Sequence, residues 1–177
     1  MNATLAAWNT ASESAAMEAM IACCGSKRWA AAMVGRRPIA RVAELSEAAD
    51  RVWSTMQEAD WLEAFVCHPR IGERKPALVA ANAANAIGAQ SAAWSHQEQS
   101  SANDANQHVL AELAEDNRLY EERFGFTYIV CATGKSAAEM LTIFKRRLAA
   151  DREAELLEAA EQQRQIMQIR LGKWLVE

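Results

Sequence analysis

The stretch VAELSEAADRVWSTM, residues 42–56, decides the fold class of this chain. Its apolar side chains recur at intervals of three and four, which places them on one face of a helix. Similar faces recur at 109–120, 140–148 and 160–174. Proline occurs only three times and alanine is frequent, so few positions break a helix. The sequence therefore predicts an all-α fold. The apolar positions of the first stretch are Val42, Leu45, Ala49, Val52, Trp53 and Met56.

Two stretches do not fit a helix. Residues 67–76 contain Pro69, Gly72 and Pro76, so we expect a loop there. Residues 126–132 are apolar and rich in aromatic and β-branched side chains, a composition typical of a strand. A single strand would have no partner in this chain. We therefore expect 126–132 to be a buried extended connection.

Length and charge limit the class of protein. The 177 residues suffice for one domain with its own core, and we expect a single domain over 1–177. The net charge is -4, and no basic block is available for nucleic acid. No apolar run approaches the ~20 residues that span a bilayer. The first 18 residues lack the features of a signal peptide. We expect a cytoplasmic protein that binds neither nucleic acid nor membrane.

The four cysteines match no zinc-ribbon or C-x-x-C spacing. We expect them to be reduced and buried, as free cysteines usually are. Cys67 is the one candidate for chemistry among them, because it precedes His68. No metal-binding motif, Gly-rich phosphate loop or nucleophile elbow occurs. The cysteines are Cys23, Cys24, Cys67 and Cys131.

Capping residues indicate where helices begin and end. The pairs Thr10-x-x-Glu13, Ser95-x-x-Glu98 and Ser136-x-x-Glu139 have the capping-box pattern, in which hydroxyl and carboxylate satisfy backbone N–H groups. Each pair predicts the start of a helix. Glycine favours the left-handed conformation that often follows the last helical turn. Helix ends are therefore expected at Gly25, Gly35, Gly125 and Gly134.

His68 is the first candidate for catalysis. It follows a helical stretch and precedes Pro69, which keeps it out of the α region and fixes it at a chain reversal. On local grounds alone, a helix-terminal histidine that satisfies a carbonyl group is the stronger explanation. Glu98 would lie in the positive field of a helix N-terminus, which keeps its carboxylate ionised. Such an anion near His68 would orient the imidazole and raise its affinity for a proton.

Other polar residues suit an anionic or polar ligand. Gln99 offers amide donors and acceptors. Arg146 and Arg147 would usually be solvated, but a guanidinium binds a substrate carboxylate with two parallel hydrogen bonds. Because neighbouring helix positions point about 100° apart, the two arginines are alternatives. The residues by themselves indicate a helical domain with a candidate His–Glu–Arg site.

Four elements in the same order resemble one known family. Residues 65–72, FVCHPRIG, are similar to its HPRIG loop, and residues 95–99, SHQEQ, to its S-x-x-E-Q element. Residues 117–126, NRLYEERFGF, resemble its N-x-x-Y-x-x-[KR]-F-G-F signature. Arg147-Leu148, followed by Glu153 or Glu155 and by Ile169-Arg170-Leu171, is similar to its C-terminal part. The family is 2-oxo-4-hydroxy-4-carboxy-5-ureidoimidazoline (OHCU) decarboxylase. One departure is Ala150, where many members have asparagine.

The resemblance implies a fold, an assembly and a site. It implies an all-α fold, a homodimer, no cofactor and no metal. His68, Glu98 and Arg147 correspond to the family's catalytic histidine, glutamate and arginine. The implied contacts with the substrate include the backbone of residues 126–132, the segment that does not fit the helical pattern. These substrate-binding residues are Pro69, Ser95, Gln99, Phe126, Ile129, Val130, Cys131 and Ala132.

The implied reaction is the conversion of the ureidoimidazoline to (S)-allantoin and CO2 in urate degradation, within purine catabolism. The ring C=N lies β to the carboxylate and can accept the electrons that CO2 leaves behind, so the chemistry needs no cofactor. We expect Arg147 to orient the anion. His68, held by Glu98, would act at the reacting carbon and move a proton.

Two other functions remain open from the sequence. A non-enzymatic helical module that binds a purine-like ligand or a partner protein needs only an apolar, partly open bundle. It does not require the polar trio. A different small-molecule lyase or hydrolase on the same scaffold is the third alternative. Formation of a single enantiomer of allantoin distinguishes the decarboxylase from both.

Overall fold

The computed structural model describes residues 2–71, 90, 93–95, 97 and 107–176, and in 107–111 and 114 the backbone alone. Within these ranges the regular structure is helical, and no strand occurs. The predicted all-α fold is therefore confirmed. Residues 90, 93–95 and 97 are also helical. The helices with defined bounds are α1 Ala3–Thr10, α2 Glu13–Cys24, α3 Lys27–Val34, α4 Val42–Trp53, α5 Glu58–Val66, α6 Gln107–Phe124, α7 Ala137–Leu148 and α8 Arg152–Trp174.

The chain divides into two compact units, and its expected organisation as a single domain over 1–177 stays a prediction. Residues Met1–Ala64 and Arg164–Glu177 form the first, here called the terminal unit. Its helices α2, α3 and α4 pack in sequence, and buried indole groups link neighbouring helices. The indole N–H of Trp8 donates to the carbonyl of Ala16 at 3.1 Å, and that of Trp29 to Ala49 at 3.2 Å.

Residues Phe65–Gln163 form the second unit, here called the central unit. Helices α6 and α7 pack against each other in it. Its core contains a cluster of aromatic rings whose centroids lie 4.3 to 6.1 Å apart. Tilted and edge-on geometries of this kind add to the stabilisation from buried area. The rings belong to Phe65, Tyr120, Phe124, Phe126, Tyr128 and Phe144.

One of the three predicted capping boxes is confirmed. Ser136 precedes α7, where its hydroxyl accepts from the backbone N–H of Glu139 at 3.3 Å and the Glu139 carboxylate accepts from the N–H of Ser136 at 2.8 Å. The box at Thr10 is wrong, because Thr10 ends α1 and Ser12 caps α2 instead. The box at Ser95 is also wrong, because Ser95 follows helical residues 93 and 94.

Glycine ends three of the four helices for which it was expected to. Gly25 caps α2 with a φ of 89°, and Gly125 follows α6 with a φ of 80°, values that favour a residue without a side chain. Gly35 caps α3 in the ordinary helical region. Gly134 was expected at a helix end, but it lies in a turn before α7. A glycine in a polar stretch marks a turn as readily as a helix end, which explains the error.

The two stretches that resist the helical pattern are irregular where they are described. Residues 67–71 form a turn and a short connection, as expected, while 72–76 lie outside the described residues. Residues 127–132 carry neither helix nor strand, and from 126 to 132 every residue except Thr127 is buried. The buried connection is therefore confirmed.

Two further predictions concern cysteines and membranes. Cys23, Cys24 and Cys131 are buried as predicted, whereas Cys67 is exposed because it lies on the turn that follows α5. Within the described ranges, no helix combines the length and the apolar composition that a membrane span requires.

Candidate active site

His68 lies on the turn that ends α5. That helix stops at Val66, and the backbone N–H of His68 donates to the carbonyl of Phe65 at 3.0 Å, which closes the turn. Pro69 follows at once and cannot continue a helix. His68 and Pro69 are both half-buried. The chain reversal predicted at His68 is therefore present, and it holds the imidazole at the edge of the central unit's core.

Helix α6 fixes the connection that follows His68. The guanidinium of Arg70 makes two hydrogen bonds with the carboxylate of Glu121, both at 2.7 Å. The side-chain amide of Asn117 donates to the carbonyl of Ile71 at 2.9 Å, and both residues are buried. Because Asn117 and Glu121 lie four residues apart, they share one face of α6. One helical face therefore sets the position of the connection at two successive residues.

The buried segment 126–132 begins beside Phe65, three residues before His68. The ring of Phe126 packs on the ring of Phe65, with their centroids 5.6 Å apart. Phe65 is also the residue whose carbonyl accepts the turn hydrogen bond from His68. The turn and the start of the segment are thereby brought close together, and their joint role in one site stays a prediction.

Side chains already occupy several backbone groups of this segment. The carbonyl of Ile129 accepts from Arg147 at 2.6 Å. The N–H of Cys131 donates to Gln162 at 2.9 Å, and the carbonyl of Cys131 accepts from Lys135 at 2.6 Å. Part of the backbone that the resemblance assigns to substrate contacts is therefore already hydrogen-bonded, at Ile129, at Cys131 and at the carbonyl of Ala132, which accepts from the N–H of Lys135 at 3.0 Å. Val130 differs: within the described part of the chain its N–H and C=O have no hydrogen-bond partner, although the residue is 6% exposed.

Arg147 lies inside the central unit, 3% exposed. Its Nε and Nη2 donate to the carboxylate of Glu155, at 2.9 and 2.5 Å from Oε1. Its Nη1 donates to the carbonyl of Ile129, and its Cζ lies 4.7 Å from the centroid of the Tyr128 ring. Glu155 is 1% exposed and also accepts a short hydrogen bond from the hydroxyl of Tyr120. All three nitrogens of the guanidinium are thus engaged with protein groups.

The electrostatics of this cluster fix its protonation at neutral pH. Burial is the largest influence on Arg147 and opposes its charge, but the hydrogen bonds with Glu155 and the charge interactions with Tyr128, Glu155 and Tyr120 together outweigh it and hold the pKa of the guanidinium above its usual value. Burial raises the pKa of Tyr128 to about 12. Burial, together with the hydrogen bond to Glu155, also raises the pKa of Tyr120. The cluster therefore contains a permanent cation and two neutral phenols, and none of the three titrates near pH 7.

The remaining predicted site residues are only partly described. Ser95 is buried, at 2% exposure, on a helical stretch. Glu98 and Gln99 lie outside the described residues, so their proposed contacts with His68 and with a ligand stay predictions. Arg146, the alternative to Arg147, is exposed. Within the described ranges, no three His, Cys, Asp or Glu side chains are grouped as metal ligands would be.

Sequence reasoning assigned no site role to Glu155 or Tyr120. Tyr120 is the tyrosine of the 117–126 signature, and Glu155 is one of two glutamates in the C-terminal element, so both stood within recognised motifs. Their pairing with Arg147 gave no local signal, because the residues lie on three different helices, α6, α7 and α8. A second buried arginine, Arg170, lies in the terminal unit at 1% exposure and was likewise given no role.

Comparisons with known proteins agree with these features. A family model described as OHCU decarboxylase matches residues 9–172. The uric acid degradation bifunctional protein TTL of Arabidopsis thaliana is 36% identical over 152 residues, which cover 85% of this chain. This chain spans only 44% of that relative's length.

Solved structures show the same fold. A crystal structure of an OHCU decarboxylase in the presence of (S)-allantoin matches with a TM-score of 0.74 and 33% identity, covering 90% of this chain and 99% of that one. A structure of an (S)-allantoin synthase matches with a TM-score of 0.68 and 15% identity, covering 96% of this chain and 53% of that one, and supports the fold alone. The family suggested by the sequence motifs is confirmed, and this chain belongs to the OHCU decarboxylase family.

Proposed function

We propose that this chain catalyses the cofactor-independent decarboxylation of 2-oxo-4-hydroxy-4-carboxy-5-ureidoimidazoline to (S)-allantoin and CO2. The family supports the class of reaction, a carboxy-lyase step in urate degradation. The 33% identical crystal structure was obtained in the presence of (S)-allantoin, which supports the product. The small ureidoimidazoline is the proposed partner of the site.

One observation supports this proposal: α6 fixes the connection that directly follows His68, and Phe65, at the start of the histidine turn, packs on the first residue of the buried segment. Arg70 and Ile71 are bonded to α6, and Phe65 packs on Phe126. An acid–base group works only when it is held within hydrogen-bond reach of the reacting atom. A non-enzymatic module has no need of an imidazole held in this way.

In the proposed mechanism the substrate supplies its own electron acceptor. When the bond to the carboxylate carbon breaks, CO2 leaves and the electron pair moves into the ring C=N, forming an enamine-like intermediate. His68 interacts with the hydroxyl and carboxylate at the reacting carbon and moves a proton. An unperturbed histidine has a pKa of about 6.5, which suits acid–base work near neutral pH. Protonation of the intermediate on one face gives one enantiomer.

The other roles in this proposal come from the resemblance. Glu98 orients the imidazole of His68, while Pro69, Ser95 and Gln99 contact the substrate. In the segment that begins at Phe126, the backbone of Val130 is the part that we propose binds the ring, since its N–H and C=O are not engaged within the described residues and its neighbours on both sides are fixed. The expected contact between Arg147 and the substrate carboxylate remains a prediction, and the ion pair with Glu155 weighs against it.

We further propose that the protein is a cytoplasmic homodimer, as the resemblance implies. Light scattering coupled to size-exclusion chromatography gives the molar mass in solution. With a chain of 19.5 kDa, a mass near twice that value supports the dimer, and a mass near 19.5 kDa contradicts it. Fractionation of cells that express the protein tests its location.

The activity is tested by optical rotation. The unstable substrate is generated in place from urate by the upstream enzymes, and the protein is then added. We expect rapid formation of optically active (S)-allantoin. A slow, racemic course indistinguishable from the reaction without protein contradicts the proposal. If the protein then binds allantoin in calorimetry without accelerating the reaction, the helical binding module is the better description.

A further inference from the structure

We propose that Arg147 and Glu155 are positioning residues that hold the backbone of residues 129–131 in the form that binds the substrate ring. Arg147 then does not bind the substrate carboxylate itself. The inference rests on the proposed function, because it assigns a role within the same site.

The guanidinium of Arg147 already has a carboxylate partner within the protein. Glu155 accepts from both Nε and Nη2, at 2.9 and 2.5 Å from Oε1, and Nε also lies 3.2 Å from Oε2. These are the two nitrogens with which a guanidinium usually binds a carboxylate. A substrate carboxylate seeking the same fork would have to displace Glu155. The Tyr128 ring lies over the guanidinium carbon, 4.7 Å from its centroid. Glu155 therefore occupies the position at Arg147 that a substrate carboxylate would need.

Arg147 and Glu155 balance each other's charge inside the protein. Arg147 is 3% exposed and Glu155 is 1% exposed, so each is the other's counterion in a place from which water is nearly excluded. Removing one partner from such a pair leaves an uncompensated buried charge, which is strongly unfavourable. Substrate binding that pulled Arg147 away from Glu155 would incur this cost during each catalytic cycle.

The pair also fixes the backbone of the buried segment. Arg147 fixes the carbonyl of Ile129, while Gln162 and Lys135 fix the two backbone groups of Cys131. Val130 lies between these two residues, and its peptide groups are held in direction by their neighbours. Backbone donors and acceptors bind a heterocycle well only when they are fixed beforehand. The pair thereby prepares Val130 to bind the ring.

Tyr120 extends this arrangement to the histidine turn. Its hydroxyl donates to Glu155, and it lies on α6 between Asn117 and Glu121, which hold the connection after His68. A single helix therefore sets the position of both the histidine turn and the buried segment. This accounts for the tyrosine of the 117–126 signature, to which the chemistry itself gives no task.

The test uses (S)-allantoin, which lacks the carboxylate that the substrate loses. Two conservative variants, Arg147→Lys and Glu155→Gln, are compared with variants of two exposed residues, Arg118→Lys and Glu153→Gln. In both variants of the buried pair we expect the KM for substrate and the Kd for allantoin to rise in parallel, by about tenfold, with a smaller change in kcat. The exposed controls should leave both constants unchanged.

A direct anchor would give another pattern. If Arg147→Lys raised only the KM for substrate and left the Kd for allantoin unchanged, Arg147 would contact the carboxylate, and the proposal would be overturned. Unchanged constants in Glu155→Gln would overturn it as well, because a carboxylate partner cannot itself bind an anionic substrate. If either variant fails to fold, Tyr120→Phe removes one hydroxyl from the same cluster, and the same parallel rise is expected to be smaller.

Hydrogen exchange separates this inference from the proposed function. The amides of residues 129–131 should exchange faster in Arg147→Lys and Glu155→Gln than in the wild type or the exposed controls. If the wild type neither turned over substrate nor bound allantoin, the proposed function would fail, and exchange would still decide the positioning role. Exchange as slow as in the wild type would overturn the positioning role even in an active enzyme.

Discussion

The terminal and central units bury their polar groups in different ways. In the terminal unit the buried donors include indole N–H groups of Trp8 and Trp29, which bond to main-chain carbonyls of neighbouring helices. In the central unit the core holds an ion pair, Arg147 and Glu155, with two tyrosines around it. The first arrangement satisfies a neutral donor on a large apolar side chain, and the second places a pair of opposite charges among aromatic rings. The terminal unit also buries a charged side chain, Arg170 at 1% exposure, so the contrast concerns these two arrangements and not buried charge in general.

The buried pair of Arg147 and Glu155 calls for an explanation beyond stability. Burial of apolar area and neutral hydrogen bonds stabilises a fold without requiring charge. A buried ion pair is often no more stabilising than apolar residues of the same volume, so its presence calls for another reason. In the central unit the pair fixes the carbonyl of Ile129, in the segment that adjoins the histidine turn. The charged core therefore accompanies the site, and substitutions in the two units should have different consequences.

The largest expected effect is on catalysis in the central unit. His68→Asn removes the acid–base group from a half-buried turn, so kcat should fall by about 10²–10⁴-fold. The melting temperature should change little compared with core substitutions. Initial rates of CO2 release and thermal unfolding measure the two. Cys67→Ser, at the exposed neighbouring position, is the control and should keep wild-type rates. A His68→Asn variant with nearly full turnover would remove His68 from the mechanism.

The second-largest effect is expected on the free energy of unfolding, when one partner of the Arg147–Glu155 pair is removed. Arg147→Met leaves Glu155 buried without its counterion and should lower the free energy of unfolding by ~3–5 kcal/mol. The double variant Arg147→Met with Glu155→Leu removes both charges and should recover most of this loss. Denaturant titrations at neutral pH give both values. Additive losses in the double variant would show that the two side chains act independently, contrary to the buried pair.

Much of the fold could be predicted from the sequence because helices depend on local patterns. Apolar intervals of three and four predicted α4, α6, α7 and α8, and each is present. Errors arose where two local signals compete. Thr10 and Ser12 both suit a helix N-terminus, and the choice between them depends on where α1 ends. Ser95 has the spacing of a cap, but helical residues precede it.

The site was less accessible to sequence reasoning. His68 could be placed, because a histidine before a proline is a local feature. The partner of Arg147 could not, because Glu155 lies beyond the break between α7 and α8 and the two meet only through packing. For the same reason, the sequence gives no sign that side chains from distant positions bind the backbone groups of Ile129 and Cys131.

The terminal unit should respond to loss of volume instead. Leu45, 1% exposed on α4, belongs to its apolar core. Leu45→Ala should lower the free energy of unfolding by ~2–5 kcal/mol through lost burial and a cavity. Because no charge is stranded and the histidine turn is untouched, the activity of the folded fraction should stay within a factor of two or so of wild type. Denaturant unfolding and kcat measured well below the transition test this. A loss of activity as large as that of His68→Asn would end the distinction between the two units.

A smaller effect is expected at the link between the histidine turn and α6. Arg70 and Glu121 are 46% and 26% exposed, so Arg70→Gln should cost at most about 1 kcal/mol of stability. The same change loosens the connection after His68, and kcat should fall by a factor of a few. Arg118→Gln is the matched control, since Arg118 also pairs with glutamates but on the exposed face of α6. Equal kcat values in the two variants would argue against a role for the link.

The smallest expected effect is a pH-dependent gain at Asp116 on α6. Burial, followed by the charge of Glu112 four residues earlier, raises the pKa of Asp116, and Lys145 only partly offsets this. Because the folded pKa lies above the ordinary 3.8, the ionised form destabilises the fold at neutral pH, and the penalty vanishes below that value. Asp116→Asn should therefore raise the free energy of unfolding at pH 7 by at most ~0.5 kcal/mol, the usual upper size of a like-charge pair, because solvent screens this partly exposed group and the attraction of Lys145 is lost as well.

The control for the pH series of Asp116→Asn is Glu115→Gln, because the pKa of Glu115 is shifted in the opposite direction. Hydrogen bonds from Arg118 lower the pKa of Glu115, so its ionised form stabilises the fold above its ordinary pKa of 4.5, and that stability is lost as pH falls. The gain from Asp116→Asn should fade between pH 7 and pH 3, whereas Glu115→Gln should give no gain at pH 7. A gain from Asp116→Asn that persisted unchanged at pH 3 would show that the amide improves packing or hydrogen bonding, because relief of a buried charge cannot outlast protonation of that charge.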